Sequence, residues 1–532
     1  MQDRKDYSVF QVSGGYEGYC RDESRAMGEA STISFPASEA EVRAIVRQMA
    51  EDGIPITVQG GRTGLAAGAV PHGGHVMNLT KMTDLLGLRK EGDAYYVRLQ
   101  PGAVLSVFNK AVADKALPHG GWDEASLRAL KAFEADRPYF FPTDPTETSA
   151  TLGGMVACNA SGAKSFRYGS ARPHVSGLRL VLADGDVLAL KRGQVFAKGY
   201  ELELTTEGGR LLRVPVPTYR MPASKNASGY FAAPDMDALD LLIGSDGTLG
   251  VLTEIEVRLS PLPPVIWGAS CFFEGEQQAA VFTELVRGEV PQAAALEYFD
   301  AGALDILRAQ KQTGTAFSEL PEVPGRYGCC VYAELHCGDA EEARASLLRV
   351  GECMQKAGGS EADSWVSRTD MDRERAKFFR HAVPESVNML IDERKKTDPV
   401  ITKLGADMSV PDDKLHQVLC LYREGLAYEG LESAIWGHIG NNHLHVNVLP
   451  RNEEDYHKGK ELFRAWAAEV TRMGGAVSAE HGVGKLKRDF LTAMYGPEHI
   501  KEMAAVKAAF DPDFLFGRGN LFDESLQKEV EA

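Results

Sequence analysis

The stretch Gly60-Gly61-Arg62-Thr63-Gly64-Leu65-Ala66-Ala67-Gly68 directly follows a short apolar run, Ile54-Pro55-Ile56-Thr57-Val58. A helix is predicted just before that run, from Ser38 to Met49, because Ser38 and Glu41 form a capping box and the apolar residues share one face. A strand that leads into a glycine-rich turn exposes several backbone N–H groups with no Cβ in the way. Such a turn binds phosphate groups, so the stretch predicts a strand–loop unit that holds a pyrophosphate.

Two further glycine-rich segments follow in the first half of the chain. One is Pro142-Thr143-Asp144-Pro145, continued by Thr151-Leu152-Gly153-Gly154-Met155-Val156-Ala157-Cys158-Asn159-Ala160-Ser161-Gly162, and the other is Gly244-Ser245-Asp246-Gly247-Thr248-Leu249-Gly250. None of the three has the G-x-G-x-x-G dinucleotide fingerprint or the G-x-x-x-x-G-K-[ST] phosphate loop. One such segment would be weak evidence, because glycine turns are more often just turns, but three in order within one half of the chain are harder to dismiss.

Size and charge limit the class of protein. The 532 residues exceed the about 250–300 residues that one hydrophobic core usually serves, so two large domains are expected. The formal net charge of −17 argues against nucleic acid and an anionic membrane surface as partners, because both favour a basic face. The polar start has no signal-peptide core, and no stretch approaches the ~18 apolar residues of a membrane span. We expect a cytoplasmic protein, with peripheral attachment at the inner membrane left open.

The eight cysteines are scattered and include no C-x-x-C pair. This pattern disfavours a disulfide framework, a cysteine zinc knuckle and an iron–sulfur cluster, and it favours free thiols.

Clustered prolines in Ser260-Pro261-Leu262-Pro263-Pro264 mark the best domain boundary. We therefore predict an N-terminal extension over residues 1–30, one domain over 31–264 and another over 265–525. In the second domain strands and helices alternate, which indicates an α+β fold with an antiparallel sheet and helices on one face. Residues 123–136 read as an acidic helical insertion, and residues 191–233 as a surface excursion or lid.

The second half contains the segment Trp436-Gly437-His438-Ile439-Gly440-Asn441-Asn442-His443-Leu444-His445-Val446-Asn447. With Asn441-Asn442 as a two-residue hairpin turn, His438 would face His445. The period of two also turns His443, His445 and Asn447 to one face. Two imidazoles at that separation can bind one metal ion.

A carboxylate would complete a three-ligand site and leave one position open for substrate. Ser478-Ala479-Glu480-His481-Gly482-Val483-Gly484-Lys485 offers Glu480, and its glycines permit close approach of the loop. His481 could then act as a base beside the substrate. The alternative is a hydrogen-bonded histidine cluster at a sheet edge, but three histidines with a Glu-His pair favour the metal site.

The three glycine segments resemble the FAD-binding domain of the vanillyl-alcohol oxidase and p-cresol methylhydroxylase flavoproteins. The resemblance implies FAD, with the first segment at the pyrophosphate, the second beside the flavin and ribityl chain, and the third near the adenine. The FAD-binding residues that it implies are Gly60, Gly61, Arg62, Thr63, Gly64, Gly68, Thr143, Asp144, Gly153, Gly154, Asn159, Gly162, Gly247 and Gly250. Members with covalently attached FAD can carry a histidine in the first loop, where this chain has Leu65 and Ala66, so non-covalent FAD is expected.

The second half resembles the C-terminal domain of flavin-linked D-lactate dehydrogenases, glycolate oxidase D subunits and D-2-hydroxyglutarate dehydrogenases. Their motif G-H-x-G-[DN]-x-N-x-H matches at His438 and His445, and their G-E-H-G-x-G loop matches at Glu480. The resemblance implies zinc or another divalent ion held by these three residues. The chain departs at Asn442 and His443, where Gly and Asn are usual, so His443 competes as a ligand. A further departure is Ala479 before the glutamate.

Together the two resemblances imply an α+β protein with a PCMH-type FAD-binding fold plus an α+β substrate domain whose antiparallel sheet is ferredoxin-like. Arg380 occupies the place of the family's substrate arginine, whose planar fork binds a carboxylate. Lys403 is the second candidate cation. The expected reaction is the oxidation of a small D-2-hydroxy acid of the lactate, glycolate or 2-hydroxyglutarate class, with His481 as general base.

The expected electron acceptor is external: a quinone, a cytochrome, an electron-transfer flavoprotein or an iron–sulfur subunit. A homodimer is also left open. Two other functions stay open here: a non-redox alkyl-dihydroxyacetonephosphate synthase-type flavoenzyme, and a flavin-carrying subunit that only conducts electrons. A metallohydrolase would leave the three glycine segments unexplained.

Overall fold

The computed structural model describes residues 7–223, 225–313 and 316–526. The chain divides into two units. The first unit comprises Met1–Gly162, Gly169–Leu262 and Ser478–Ala532, and the second comprises Ala163–Tyr168 and Pro263–Val477. The predicted α+β class with antiparallel sheets is confirmed.

The strands of the first unit form two main sheets and two short pairs. One main sheet is four-stranded, in the order Val9–Gln11, Thr32–Ser34, His75–Asn78 and Ile56–Gln59. The other is five-stranded and antiparallel, in the order Leu85–Glu91, Ala94–Leu99, Val251–Arg258, Val175–Val181 and Val187–Lys191. The short pairs join Tyr139–Phe140 to Ser260–Pro261 and Glu201–Thr205 to Leu211–Pro215.

Two helices of the first unit that the sequence predicts begin at capping side chains. Ser38 accepts a hydrogen bond from the backbone N–H of Glu41 at 3.2 Å and so begins the helix Glu39–Glu51, as predicted. Asp123 caps the predicted insertion helix Glu124–Ala135 in the same way. The α-helices of this unit are Glu39–Glu51, Leu105–Ala113, Glu124–Ala135, Leu152–Ala157, Ala238–Leu242, Arg488–Tyr495 and Pro497–Phe510.

The second unit contains one eight-stranded antiparallel sheet. Its order is Ser364–Ser367, Val265–Phe273, Cys329–Cys337, Ala293–Phe299, Ser433–His438, His443–Val448 and Leu404–Gly405, with Met408–Ser409 also paired to His443–Val448. Its α-helices are Ser165–Tyr168, Glu276–Glu289, Ala301–Lys311, Ala340–Lys356, Asp370–Lys395, Leu415–Glu429 and Glu453–Arg472.

Helices cover both faces of this sheet, so the expectation of helices on one face was wrong. Phe273 packs against Phe282 of the helix Glu276–Glu289, with ring centroids 5.2 Å apart. Its neighbour Phe272 points to the opposite face and shares an apolar cluster with Phe379 of another helix. Successive side chains of a strand point to opposite faces of the sheet. Where the residues on both faces are apolar, helices must pack on both faces to bury them.

Residues 191–233 were expected to form a surface excursion or lid, and this was wrong for their second part. The segment begins with the hairpin given above, whose alternate leucines are buried. Lys225, Ser228 and Tyr230 are then all at least nine-tenths buried. Within the described ranges, no helix is long and apolar enough to cross a membrane.

Candidate functional site

The first glycine loop follows the strand Ile56–Gln59 and packs closely on the second glycine segment. A Cβ on Gly60 would overlap Oγ1 of Thr151, and a Cβ on Gly61 would lie 3.1 Å from the carbonyl oxygen of Ser149. Position 60 requires glycine because its backbone packs directly against the side chain of Thr151, which leaves no room for a Cβ. The loop therefore presents main chain rather than side chains to its surroundings.

Arg62 has a positive φ of 59°, which non-glycine residues seldom adopt. Its guanidinium lies 4.3 Å from the ring centroid of Tyr19 and donates to the carbonyl oxygen of Gly18. The side chain is thus engaged with the N-terminal residues, and Arg62 would meet a pyrophosphate through its backbone. Further along the loop, Gly68 accepts a hydrogen bond from the Asn520 amide at 3.0 Å.

The second glycine segment is built around the short helix Leu152–Ala157, whose N-cap is Thr151. A Cβ on Gly153 would lie 2.5 Å from Cβ of Pro101, and one on Gly162 would overlap the carbonyl oxygen of Asp144. Asn159, with a φ of 51°, accepts from the Arg172 backbone N–H at 3.0 Å. Thr143 is buried as well.

The third glycine segment is joined to the loop that carries Glu480 and His481. Oδ2 of Asp246 accepts from the backbone N–H groups of Val483 and Gly484, both at 2.9 Å. Burial raises the pKa of Asp246 to about 6. Gly484, at a φ of 50°, leaves no room for a Cβ, which would overlap the carbonyl oxygen of Ala66 in the first loop.

Glu480 completes this convergence within the first unit. Its Oε2 lies 3.0 Å from Nζ of Lys225 and accepts from Oγ of Ser161 at 3.0 Å. Ser161 belongs to the second glycine segment, so the Glu480–His481 loop contacts all three segments. Seven of the predicted FAD-binding residues, Gly60, Gly61, Gly68, Gly153, Gly154, Gly162 and Gly250, sit where a Cβ would meet neighbouring atoms within 4 Å.

In the second unit the histidine hairpin has a different register from the predicted one. Its strands are Ser433–His438 and His443–Val448, and the pairing sets His438 opposite His443 and Trp436 opposite His445. The predicted two-residue turn was wrong, because the turn takes the four residues 439–442, with Asn442 at a φ of 48°. The three histidines nevertheless share one face of the sheet, as predicted, because opposed residues of an antiparallel pair point the same way.

The three rings are close enough to share an ion. Ring centroids are 5.4 Å apart for His438–His443, 5.6 Å for His438–His445 and 4.5 Å for His443–His445. One nitrogen from each ring lies within 4.8 Å of a nitrogen of the others. Imidazole nitrogens in such a group are a donor set that suits zinc.

Two of these rings are hydrogen-bonded through one nitrogen to a buried carboxylate. Nδ1 of His438 lies 2.7 Å from Oε1 of Glu297, and Nε2 of His443 lies 2.8 Å from Oδ1 of Asp407. Glu297 is 8% exposed and Asp407 2% exposed. Metal-bound histidines characteristically bond a carboxylate or carbonyl through the ring nitrogen that does not touch the metal. The arrangement therefore has the second layer of contacts that a metal site requires.

The two predicted substrate cations lie over aromatic rings of the second unit. The guanidinium of Arg380, in the helix Asp370–Lys395, is 4.5 Å from the ring centroid of Tyr332. Nζ of Lys403 is 5.5 Å from the ring centroid of Trp436, which pairs with His445. Lys403 therefore lies on the histidine face of the sheet.

Arg380 has an acidic neighbour. Burial opposes ionisation of Glu334, but the hydrogen bond from His336 and the charges of Lys164, His336 and Arg380 outweigh it and lower the pKa of Glu334 to about 2. Glu334 therefore carries a full negative charge close to Arg380 at neutral pH.

Four residues of these sites were missed by the sequence reasoning: Ser161, Lys225, Glu297 and Asp407. Glu297 carried a signal, because it is the single acid in the otherwise apolar strand Ala293–Phe299. A lone ionisable residue in a buried strand needs a partner. Lys225 carried none, since its partner Glu480 is 255 residues away.

Two family models match the chain. The model described as "FAD binding domain" matches residues 30–121 and 125–191, and the model described as "FAD linked oxidases, C-terminal domain" matches residues 262–521.

Named relatives are similar over nearly the whole length. A D-lactate dehydrogenase of Anaerostipes hadrus is 28% identical, with 95% of this chain and 92% of that protein covered. A D-2-hydroxyglutarate dehydrogenase of Xanthomonas citri pv. viticola is 26% identical at the same coverage. The recognition of this family from its motifs is confirmed.

Solved structures agree on the fold. A p-cresol methylhydroxylase superposes with a TM-score of 0.66 at 17% identity, covering 97% of this chain and 94% of that one. A 4-ethylphenol oxidase from Gulosibacter chungangensis gives a TM-score of 0.64 at 18% identity, covering 98% and 95%. The fold is therefore of the expected p-cresol methylhydroxylase type, and the chain belongs to the FAD-linked oxidases and is an oxidoreductase.

Proposed function

We propose that the protein is an FAD-dependent dehydrogenase that oxidises a small D-2-hydroxy acid to the 2-oxo acid. The observation that carries the proposal is the group of three histidines on one sheet face, with Glu297 and Asp407 behind two of the rings. Relatives named D-lactate dehydrogenase and D-2-hydroxyglutarate dehydrogenase support the substrate class.

The glycine segments fit FAD. Gly60, Gly162 and Gly484 stand where any side chain would overlap a neighbouring segment, so glycine lets the segments pack tightly at these three positions. The residues that we propose to hold FAD are Gly60, Gly61, Arg62, Thr63, Gly64, Gly68, Thr143, Asp144, Gly153, Gly154, Asn159, Gly162, Gly247 and Gly250. With Leu65 and Ala66 in the first loop, we propose non-covalent binding.

We propose that His438, His445 and Glu480 hold a divalent ion, with zinc the first candidate. Nitrogen and carboxylate ligands with one open position are the set found in catalytic zinc sites. FAD when bound accepts a hydride, and a divalent ion lowers the pKa of an alcohol as it does that of water.

The other roles belong to side chains of the chain itself. Arg380 binds the substrate carboxylate through its guanidinium fork, and Lys403 adds a second positive charge. His481 accepts the hydroxyl proton as general base, a role that histidine fills more often than any other side chain. The side chain of His481 is 25% exposed, so solvent can take the proton away afterwards.

The electrons need an acceptor outside this chain, since C-x-x-C spacing for a cluster is absent from the sequence. We propose a quinone, a cytochrome, an electron-transfer flavoprotein or an iron–sulfur subunit as that acceptor.

The test is anaerobic reduction of the bound flavin. The purified yellow protein is mixed with D- and L-2-hydroxy acids, and the absorbance of oxidised flavin is followed. We expect bleaching by a D-acid, lost in His481→Ala and after treatment with a chelator. Flavin that no 2-hydroxy acid bleaches, with divalent metal present, would overturn the proposal and favour a synthase or an electron-conduit role.

A further inference from the structure

We propose that Lys225 is a positioning residue for Glu480, which it holds by one carboxylate oxygen so that the other can bind the metal ion. This inference deepens the metal site proposed above and depends on it. Lys225 lies in the part of the chain that the sequence suggested was a surface excursion. Its side chain is instead 3% exposed, and that of Glu480 is 10% exposed.

The contacts form a triangle around one atom. Nζ of Lys225 donates to Oε2 of Glu480 at 3.0 Å and to Oγ of Ser161 at 2.8 Å. Oγ of Ser161 in turn donates to the same Oε2 at 3.0 Å. Both donors act on Oε2, so they fix the plane of the carboxylate.

Oε1 is the atom that a cation would bind. Nε2 of His481 lies 3.9 Å from it. Outer contacts of this kind orient metal-binding carboxylates, and their loss typically weakens metal binding ~10–100-fold.

Lys225 makes this contact from a backbone conformation that is unfavourable for a residue with a side chain. Its φ is 54°, in the left-handed region that side chains rarely adopt. Three residues later, Ser228 donates to the carbonyl oxygen of Ser478 at 2.9 Å and accepts from its N–H at 3.1 Å. The segment around Lys225 is thus bonded twice to the base of the loop that carries Glu480.

The buried negative charge of Glu480 explains why a positively charged side chain is needed at position 225. A buried carboxylate is stable only with a charged or hydrogen-bonding partner, and removing one member of a buried pair is strongly unfavourable. Lys225→Met would leave Ser161 as the one remaining donor to Oε2 in this triangle. Lys225→Arg keeps the charge and tests geometry alone.

The experiment measures metal affinity of the FAD-loaded protein, without turnover. Zinc binding is measured by competition with a chromophoric chelator, and cobalt(II) binding by its visible ligand-field spectrum. We expect Lys225→Met to bind zinc ~10–100-fold more weakly and to change the cobalt spectrum. Lys225→Arg should recover part of the affinity, and Ser161→Ala should show a smaller loss. Flavin content should stay unchanged in both Lys225 variants.

Lys198→Met is the matched control, since Lys198 is an exposed lysine of the same segment. Equal metal affinity and an equal cobalt spectrum for Lys225→Met and wild type would overturn the proposal while leaving the proposed function intact. A wild-type protein that binds neither metal would overturn both. If Lys225→Met does not fold, unchanged affinity in both Lys225→Arg and Ser161→Ala is the overturning result.

Discussion

Oε1 of Glu297 lies 2.7 Å from Nδ1 of His438, inside the eight-stranded sheet. This carboxylate fixes the ring orientation and raises the basicity of its other nitrogen. We predict that Glu297→Ala weakens zinc binding ~10–100-fold, whereas Glu297→Gln, which still accepts a hydrogen bond, loses less. Competition with a chelator measures the effect. Glu289→Gln, whose carboxylate pairs with Lys356 elsewhere, serves as the control. Equal affinities for Glu297→Ala and wild type would argue against a metal-binding role of His438.

His443 and His445 can be distinguished by substitution. Nε2 of His443 is bonded to Asp407, and the His443 side chain is fully buried. We predict that His445→Ala abolishes zinc binding, whereas His443→Asn keeps it within several-fold, because asparagine is usual at this position of the family motif. Metal content after dialysis, measured by elemental analysis, checks this. Metal lost from His443→Asn but retained by His445→Ala would exchange the two roles.

The hairpin shows how far sequence reasoning reaches. The predicted pairing of His438 with His445 is two residues away from the observed pairing with His443. Side chains alternate with a period of two, so an error of two residues leaves every side chain on its predicted face. The face was therefore predictable, whereas the length of the turn was not. It depends on the 3₁₀ turn at Ile439–Asn441, which two asparagines do not specify.

Contacts between residues that are far apart in the sequence could not be predicted from local sequence patterns. Helix Glu39–Glu51 and the strand Ile56–Gln59 follow from capping and apolar runs, which act within a few residues. The pairing of Glu297 with His438 depends instead on the order of strands in the sheet. Lys225 meets Glu480 only because two separate segments of the chain fold together.

Gly484 gives a prediction about the flavin loops. Its φ is 50°, and a Cβ there would overlap the carbonyl oxygen of Ala66. We predict that Gly484→Ala displaces the first loop and yields protein with little bound FAD, measured as the flavin-to-protein absorbance ratio. Gly288→Ala is the control, because a Cβ at that helical position meets no described atom within 4 Å. Full flavin content in Gly484→Ala would contradict the proposed FAD site.

His75 predicts a pH dependence of stability. Both ring nitrogens bond hydroxyl groups, Nδ1 to Thr32 and Nε2 to Ser34, each at 2.8 Å. Burial lowers the pKa of His75 to about 4, whereas the unfolded chain has the ordinary value of 6.5. Between pH 6.5 and pH 4, His75 is protonated in the unfolded state but not in the folded state. Stability is therefore complete above pH 6.5 and falls below it, by at most about 3 kcal/mol from this group.

The measurement for His75 is the urea midpoint between pH 7.5 and pH 4.5. We expect His75→Gln to be less stable at pH 7.5 but to lose less stability on acidification than wild type. Parallel curves for the two proteins would show that His75 does not cause the loss.

The hydrogen bond from Asn520 to Gly68 joins residues 452 positions apart. The first glycine loop is therefore made early on the ribosome, while the residues that brace it, Gly484 and Asn520, are made among the last. During most of synthesis that loop lacks its final neighbours, and tight FAD capture before release of the chain is not expected. A nascent chain stalled before residue 478 would accordingly remain colourless.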